Sequence, residues 1–253
     1  MKYRQKTLHL LYAAALFLLC SCGNENDTIV NTRSKYPLSI EQADKIRDRL
    51  PTEMRESYIH YGEQFLGQEW PLLDKEAFGE YWITGNRTHF EGLSFAKRKH
   101  FAALAMAEIA EGNGRFIPDI VDGINSLIEE EWWGIPAHYN GRNIPTYEIQ
   151  VVDLYNAETA GLVAWTKALL KEELMEADST ICEKIDSEIE HRILRPAVDN
   201  DYWWKRGTSN WNPWICSNWI TCVLFCERNQ ERRIKALSQI KDSMLYLTRP
   251  SIQ

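Results

Sequence analysis

Residues 92–110, GLSFAKRKHFAALAMAEIA, are the stretch that decides the fold class. Their apolar residues recur at a spacing of three or four, which places them on one face of a helix. Gly112 and Gly114 follow directly, and glycine often lies just past the end of a helix. The stretch therefore predicts a long amphipathic helix with one buried face.

The same helical spacing recurs through most of the chain, joined by short connections that contain glycine or proline. Residues 70–85 are aromatic and less regular, residues 134–145 are predicted to be a loop, and no convincing run of alternating strand residues is present. We expect an all-α protein of antiparallel helix pairs, and periodicity alone leaves a bundle, a solenoid and a toroid open. Further helices are predicted at residues 39–50, 52–66, 119–132, 153–176, 179–194, 215–228 and 231–247.

Composition narrows the classes of partner. The 253 residues, 44% of them hydrophobic, are enough for one sizeable core. The net charge of −7 and the absence of a basic stripe argue against nucleic acid as a partner. The acidic run Glu129, Glu130 and Glu131 is interpreted as a solvated helix end.

Histidine and cysteine positions give no sign of a metal site, and we expect neither a metal nor a cofactor. The histidines at 60, 89, 100 and 191 lack the spacing of metal ligands. Cys216, Cys222 and Cys226 lie on or beside a predicted helix, where buried free thiols are the favoured interpretation. Export would leave a disulfide possible.

The N-terminus has the pattern of an exported lipoprotein. Lys2, Arg4 and Lys6 precede an apolar run at residues 8–19, which is too short to span a bilayer as a mature helix. Cys22 has leucine three residues before it and serine immediately before it, as at a lipidation site. We interpret residues 1–21 as a lipoprotein signal peptide, 22–38 as a polar tether and 39–253 as the helical domain. An ordinary secretory signal is the alternative.

Residues 201–219, DYWWKRGTSNWNPWICSNW, concentrate residue types that recognise sugars. They hold five of the chain's 10 tryptophans and three asparagines. Indole faces stack on the C–H faces of a pyranose, while amides bond its hydroxyls or carboxylate. A tryptophan-rich core corner explains the composition equally well. The candidate substrate-binding residues are Trp203, Trp204, Trp211, Trp214 and Asn218, together with His138 from the predicted loop.

Four motifs, in order along the chain, carry a family resemblance. They are FEG at 90–92 with the helix that follows it, EEWWGIPAH at 130–138, DLYNAETA at 153–160 and NWNPWICSNW at 210–219. Together they span most of the helical domain. The chain resembles the N-terminal α/α toroid of heparinase II/III-like polysaccharide lyases, in the chondroitin AC/alginate lyase superfamily, and particularly their Bacteroidota lipoproteins.

The resemblance implies a toroid whose cleft binds an acidic polysaccharide, followed by a β-sandwich domain. These 253 residues contain no sequence of that second kind, so the expected architecture is an incomplete α/α toroid without the C-terminal β-sandwich. Trp132 and Trp133, within the second motif, are interpreted as a sugar platform or as packing in the toroid. The expected location is the outer membrane, where the lipid anchor would hold the protein on the periplasmic face or the cell surface.

The chemistry that the resemblance implies is β-elimination on a uronic acid. The C5 proton is removed only if the charge of the adjacent carboxylate is neutralised. The matching motif places that role on Asn210, with Asn212 as its rival, although relatives often have histidine where this chain has Trp211.

The catalytic tyrosine of the relatives lies in a glycine-rich stretch beyond residues 231–247, which this sequence does not contain. Tyr202 is the tyrosine near the asparagine motif, and packing is its favoured role. We therefore expect a truncated lyase-like protein with little activity. A non-catalytic glycan-binding surface lipoprotein is the alternative.

Lipidation at Cys22 is testable in cells. Because the thiol of this residue is the predicted acceptor, metabolic labelling with a fatty acid should label the protein, and Cys22→Ala should remove the label. Label that persists in the variant would contradict the assignment.

Overall fold

The structure is a computed structural model that describes residues 43–139 and 146–246. In this part of the chain every regular element is helical and there is no strand, which confirms the all-α prediction. The predicted signal peptide, tether and lipidated Cys22 lie outside the described residues.

The α-helices are α1 (Ala43–Arg49), α2 (Thr52–Glu63), α3 (Lys75–Thr84), α4 (Thr88–Glu111), α5 (Ile117–Ile128), α6 (Leu154–Leu169), α7 (Lys171–Ala177), α8 (Ile181–Ile189), α9 (Arg195–Asp199), α10 (Trp211–Cys226) and α11 (Gln230–Tyr246).

Three shorter segments complete the described secondary structure. Two are 3₁₀ turns, at Pro136–His138 and Trp203–Arg206, and one is a π-helical segment at Glu190–Leu194. Within the described residues, no helix combines the length and apolar character needed to cross a membrane.

Two predicted helix boundaries are wrong for identifiable reasons. The helix expected at residues 153–176 is divided at Leu170, whose φ of −121° and ψ of 26° leave the helical region. Leu170 is fully buried, so the apolar periodicity continues across the break and conceals it. The run expected to end before Pro196 continues to Asp199, because Pro196 lies in the first turn of α9, where a missing N–H is tolerated.

The less regular residues 70–85 contain a well-formed helix, α3. Asp74 caps it, since its Oδ1 accepts a hydrogen bond of 2.6 Å from the N–H of Ala77. Gly85 ends it with a positive φ of 77°, a conformation that glycine adopts at little cost. The aromatic content of the segment had obscured these start and stop signals.

Helices α6 and α10 pack side by side and run in the same direction. Their contacts advance together along both helices, from Glu158 with Trp214, to Gly161 with Asn218, to Trp165 with Phe225. Helices α4 and α6 are related in the same way, through Phe95 with Tyr155 and then Arg98 with Thr159. The fold therefore contains a row of three parallel helices, α4, α6 and α10.

Parallel neighbours require return connections, which the remaining helices supply. Helix α5 follows α4, helices α7 to α9 follow α6, and α11 follows α10. Several of the returning helices also contact one another, including α5 with α8 and α9 with α11. This arrangement brings the N-terminal ends of α6 and α10 to the same side of the molecule.

The core is dominated by one large apolar cluster in which Trp133, Trp204 and Trp219 are fully buried. A smaller cluster around Phe78 and Phe90 contains Trp132. Trp132 and Trp133 are 4% and 1% exposed, and both indoles donate to backbone carbonyls. Both residues of this pair are therefore packing residues.

Arg192, in the π-helical segment, joins the returning helix α8 to the end of α5. It is fully buried and donates hydrogen bonds to the carbonyls of Ile128 (3.1 Å) and Glu130 (2.6 Å) and to the Glu188 carboxylate (2.7 Å). Its guanidinium lies 4.6 Å from the ring centroid of Trp133. A buried cation is favourable here because its donors satisfy helix-end carbonyls and a carboxylate.

Replacing Arg192 with methionine should lower the free energy of unfolding by about 3–5 kcal/mol, because the carboxylate and carbonyls would stay buried without their donor. Urea unfolding followed by circular dichroism measures this. Arg195→Ala is the matched control: its ion pair with Glu190 is exposed, so the loss should be at most about 1 kcal/mol. Equal losses in the two variants would contradict the role of Arg192.

Candidate functional site

The centre of the candidate site is His138, held by Asp153. His138 Nδ1 lies 2.9 Å from Asp153 Oδ2. The Asp153 side chain is 1% exposed and is fixed by two backbone donors, the N–H of Asn156 (2.7 Å) and that of Ile135 (3.3 Å). When Nδ1 donates to this carboxylate, the neutral imidazole presents Nε2 as an acceptor. Asp153 therefore orients a histidine suited to accept a proton.

The His138 ring lies in an aromatic surface. Its centroid is 5.5 Å from that of Tyr155, with the rings nearly parallel, and 4.5 Å from that of Trp211. Burial raises the pKa of Tyr155, and the neighbouring carboxylates of Glu91 and Glu158 raise it further. Tyr155 therefore stays protonated at neutral pH and keeps an O–H donor beside the imidazole.

Glu158 lies one helical turn beyond Tyr155 on α6. Burial raises the pKa of Glu158 above its ordinary value, although the nearby indole of Trp214 and the charge of Arg98 act in the opposite direction. A partly buried carboxyl group with a raised pKa is a candidate functional group.

The rings around His138 and the Glu158 carboxyl come from two parallel helices, α6 and α10. Tyr155 and Glu158 share a face of α6, and Trp211 and Trp214 share a face of α10. His138 contacts Tyr155 and Trp211, while Glu158 lies near Trp214. Glu158 therefore lies one turn along α6 from Tyr155, the ring that His138 contacts.

The expectation that the acidic run at 129–131 is solvated is wrong for Glu130. Its carboxylate is buried and accepts a bidentate pair of bonds from Arg98, at 2.8 and 2.5 Å, and lies 2.9 Å from Lys97 Nζ. Burial lowers the pKa of Lys97. Arg98 also donates to Thr159 Oγ1 at 3.2 Å. Arg98 is therefore held beside Glu158 with much of its charge offset by Glu130.

The structure separates the two candidate asparagines. Asn210, at the start of α10, is exposed. Asn212 is fully buried, and its Nδ2 donates to the carbonyls of Gly207 (3.2 Å) and Ser243 (2.8 Å). Asn212 thus ties the 203–207 segment and α11 to α10, and Asn210 is the amide that a ligand can reach.

The candidate tryptophans also divide into exposed and buried groups. Trp203 is 60% exposed, and its ring centroid lies 5.0 Å from that of the partly exposed Trp211. Trp204 is 1% exposed and donates to the Val152 carbonyl at 3.1 Å. Tyr202 stacks on Trp204 and accepts from the N–H of Val152, which is a packing role. Trp203 and Trp211 are therefore the accessible rings of this stretch.

Asn218 and Trp214 lie at the interface between α6 and α10. Asn218 packs so closely on Gly161 that a Cβ there would clash with its amide oxygen. Its Nδ2 donates to the Trp214 carbonyl at 3.0 Å. Both residues are only partly exposed, so their observed contacts hold the two helices together.

Sequence reasoning missed Asp153, Tyr155 and Glu158 as site residues. All three lie in the DLYNAETA motif, where the aspartate followed by a helical run signals a helix start. Nothing in their spacing links them to His138, because the intervening loop has no periodicity. The pairing depends on tertiary contacts alone.

No family model and no curated protein matches this chain. Among the residues that the structure describes, no group of three histidine, cysteine or acidic side chains is placed to hold a metal ion. The four described cysteines, Cys182, Cys216, Cys222 and Cys226, are buried and free.

Glu158→Gln should stabilise the fold at neutral pH. The pKa of Glu158 is higher in the folded protein than in the unfolded chain. The protonated carboxyl therefore contributes to stability at pH values below the unfolded pKa, and this contribution is lost as the pH rises through the folded pKa. A neutral amide avoids that loss. Unfolding free energies measured from pH 4 to pH 8 should show a gain that grows with pH, relative to an exposed control, Glu176→Gln. A gain that is constant with pH would contradict this assignment.

Proposed function

We propose that the surface around His138 binds a uronic-acid-containing polysaccharide and that its chemistry is that of a β-eliminating polysaccharide lyase. The observation that carries the proposal is the buried Asp153 carboxylate holding His138 against the rings of Tyr155 and Trp211. An oriented imidazole in an aromatic surface combines a proton acceptor with a stacking face for a sugar.

The site also supplies groups that suit a sugar carboxylate. The exposed Asn210 amide lies next to Trp211 in sequence and offers an N–H donor. The N-terminal ends of α6 and α10 lie on this side of the molecule, where their partial positive charge favours an anion. Together these groups would offset the charge that develops as the C5 proton leaves.

The elimination can be written with the groups present. His138 Nε2 takes the C5 proton, and the electron pair of that C–H bond forms the C4–C5 double bond. The C4–O bond breaks, and the departing glycosidic oxygen takes a proton from the Tyr155 hydroxyl. Tyr155 is then reprotonated by the adjacent imidazolium, which returns both groups to their starting state.

The helix arrangement supports the wider proposal. A row of parallel helices, each followed by returning helices, is expected of an α/α toroid and also of a solenoid. Together with the motif resemblance, it favours an α/α toroid. Export and lipid anchoring at the outer membrane belong to the same proposal, supported by the N-terminal pattern of residues 1–22.

Glycan binding without cleavage is the second candidate. It is favoured because the cations near the site already have carboxylate partners. Arg98 donates to the Glu130 carboxylate, and Arg87 Nε lies 2.5 Å from Glu91 Oε1. Cations that are already paired neutralise a substrate carboxylate less effectively. The aromatic surface would still bind the sugar.

A product assay separates the two candidates. Unsaturated product absorbs in the ultraviolet, so the full chain is tested on hyaluronan, chondroitin, heparan sulfate and alginate. His138→Gln should lower the rate about 10²–10⁴-fold, because it removes the general base. Trp211→Ala should weaken binding, because it removes a stacking face.

His191→Gln is the matched control, since His191 stacks on Tyr147 and is not among the contacts of this site. Its rate should equal that of the unaltered chain. An unchanged rate in His138→Gln would reject His138 as the base. Binding of these glycans without any product would favour the second candidate.

A further inference from the structure

Five rings form a continuous row that extends beyond the site on both sides. Successive ring centroids are 5.0 Å apart from Phe95 to Tyr155, 5.5 Å from Tyr155 to His138, 4.5 Å from His138 to Trp211 and 5.0 Å from Trp211 to Trp203. The row therefore has the titratable site at its centre.

The row crosses the helices instead of following one of them. Phe95 lies on α4, Tyr155 on α6 and Trp211 on α10, which are the three parallel helices. The backbone of Gly207 lies close to the Trp203 ring, since a Cβ at this position would be only 3.3 Å from it. The order of the helices therefore fixes the order of the rings.

Exposure is greatest at the two ends. Phe95 is 42% exposed and Trp203 is 60% exposed, whereas the His138 side chain between them is 12% exposed. Large aromatic side chains left exposed in a contiguous row are typical of a binding surface. A ligand that covers them must extend well past His138 in both directions.

We propose that this row is an extended saccharide platform that binds at least three consecutive sugar units, with outer units stacked on Phe95 and Trp203. Phe95 and Trp203, the two most exposed rings of the row, can each offer a face to the C–H side of a pyranose. The assignment depends on the proposed function for its central unit. Phe95, which the sequence did not suggest as a ligand contact, becomes a specificity residue for chain length.

The test compares ligand lengths by isothermal titration calorimetry. Hyaluronan disaccharide and hexasaccharide are titrated into the full chain carrying Tyr155→Phe, which keeps all five rings and removes the proposed proton donor, so that cleavage is suppressed during the measurement. The hexasaccharide should bind at least about tenfold more tightly. Phe95→Ala and Trp203→Ala should each weaken hexasaccharide binding about three- to tenfold and leave disaccharide binding unchanged.

Two controls isolate stacking from general loss of apolar surface. Ile83→Ala removes an apolar side chain that is 86% exposed on α3, outside the row, and should change neither affinity. Trp203→Tyr keeps an aromatic face and should restore most of the affinity lost in Trp203→Ala. Equal affinity for the two lengths, or equal losses at both lengths, would overturn the platform.

A neutral ligand distinguishes failure of the platform from failure of the proposed function. Cellohexaose and cellobiose present pyranose faces without carboxylates. If no uronic-acid oligosaccharide binds, but cellohexaose shows the length dependence and the Phe95 and Trp203 losses, the platform stands and the proposed function falls. If no hexasaccharide of either kind binds, both fall.

Discussion

The buried carboxylate of Asp153 is the interaction on which the site depends. One oxygen caps α6 through the N–H of Asn156, and the other accepts from Ile135 and His138. The same group therefore begins one of the three parallel helices and fixes the turn that carries the histidine. Such a charge is tolerated at 1% exposure because backbone donors and a helix N-terminus surround it. The Asp153 side chain therefore both begins α6 and orients the candidate proton acceptor, His138.

The parallel packing of α4, α6 and α10 turns this local arrangement into an extended surface. Because neighbouring helices run in the same direction, residues at the same level of each helix contact one another, and these contacts form a line across the helices. Gly161 allows α6 and α10 to approach, and Arg192 fixes the end of α5 behind them. The rigid packing behind the surface is what would allow an aromatic row to bind a ligand without reorganising.

The sequence predicted much of the fold but only part of the site. Helical periodicity gave the all-α class and most helices, since a 3.6-residue repeat is visible without tertiary information. It could not reveal the break at Leu170, where burial continues the pattern, or the continuation through Pro196. The asparagine and tryptophan motif identified the right region but could not separate Asn210 from Asn212. Asn210 is exposed and Asn212 is buried because of the tertiary contacts at the start of α10, which the sequence does not reveal. The pairing of His138 with Asp153 is purely tertiary.

The distribution of unfavourable groups is itself an argument for function. Glu158 is placed where burial raises its pKa, and the amide of the fully buried Asn156 makes no hydrogen bond to other described protein groups. A buried amide without partners costs about 1–3 kcal/mol, and a costly carboxyl adds to that. Both lie within one turn of Tyr155 on α6, in a helix whose other buried positions are mostly well packed. Proteins often carry such local costs where a site needs them, so these two groups support placing the chemistry near Tyr155 and His138.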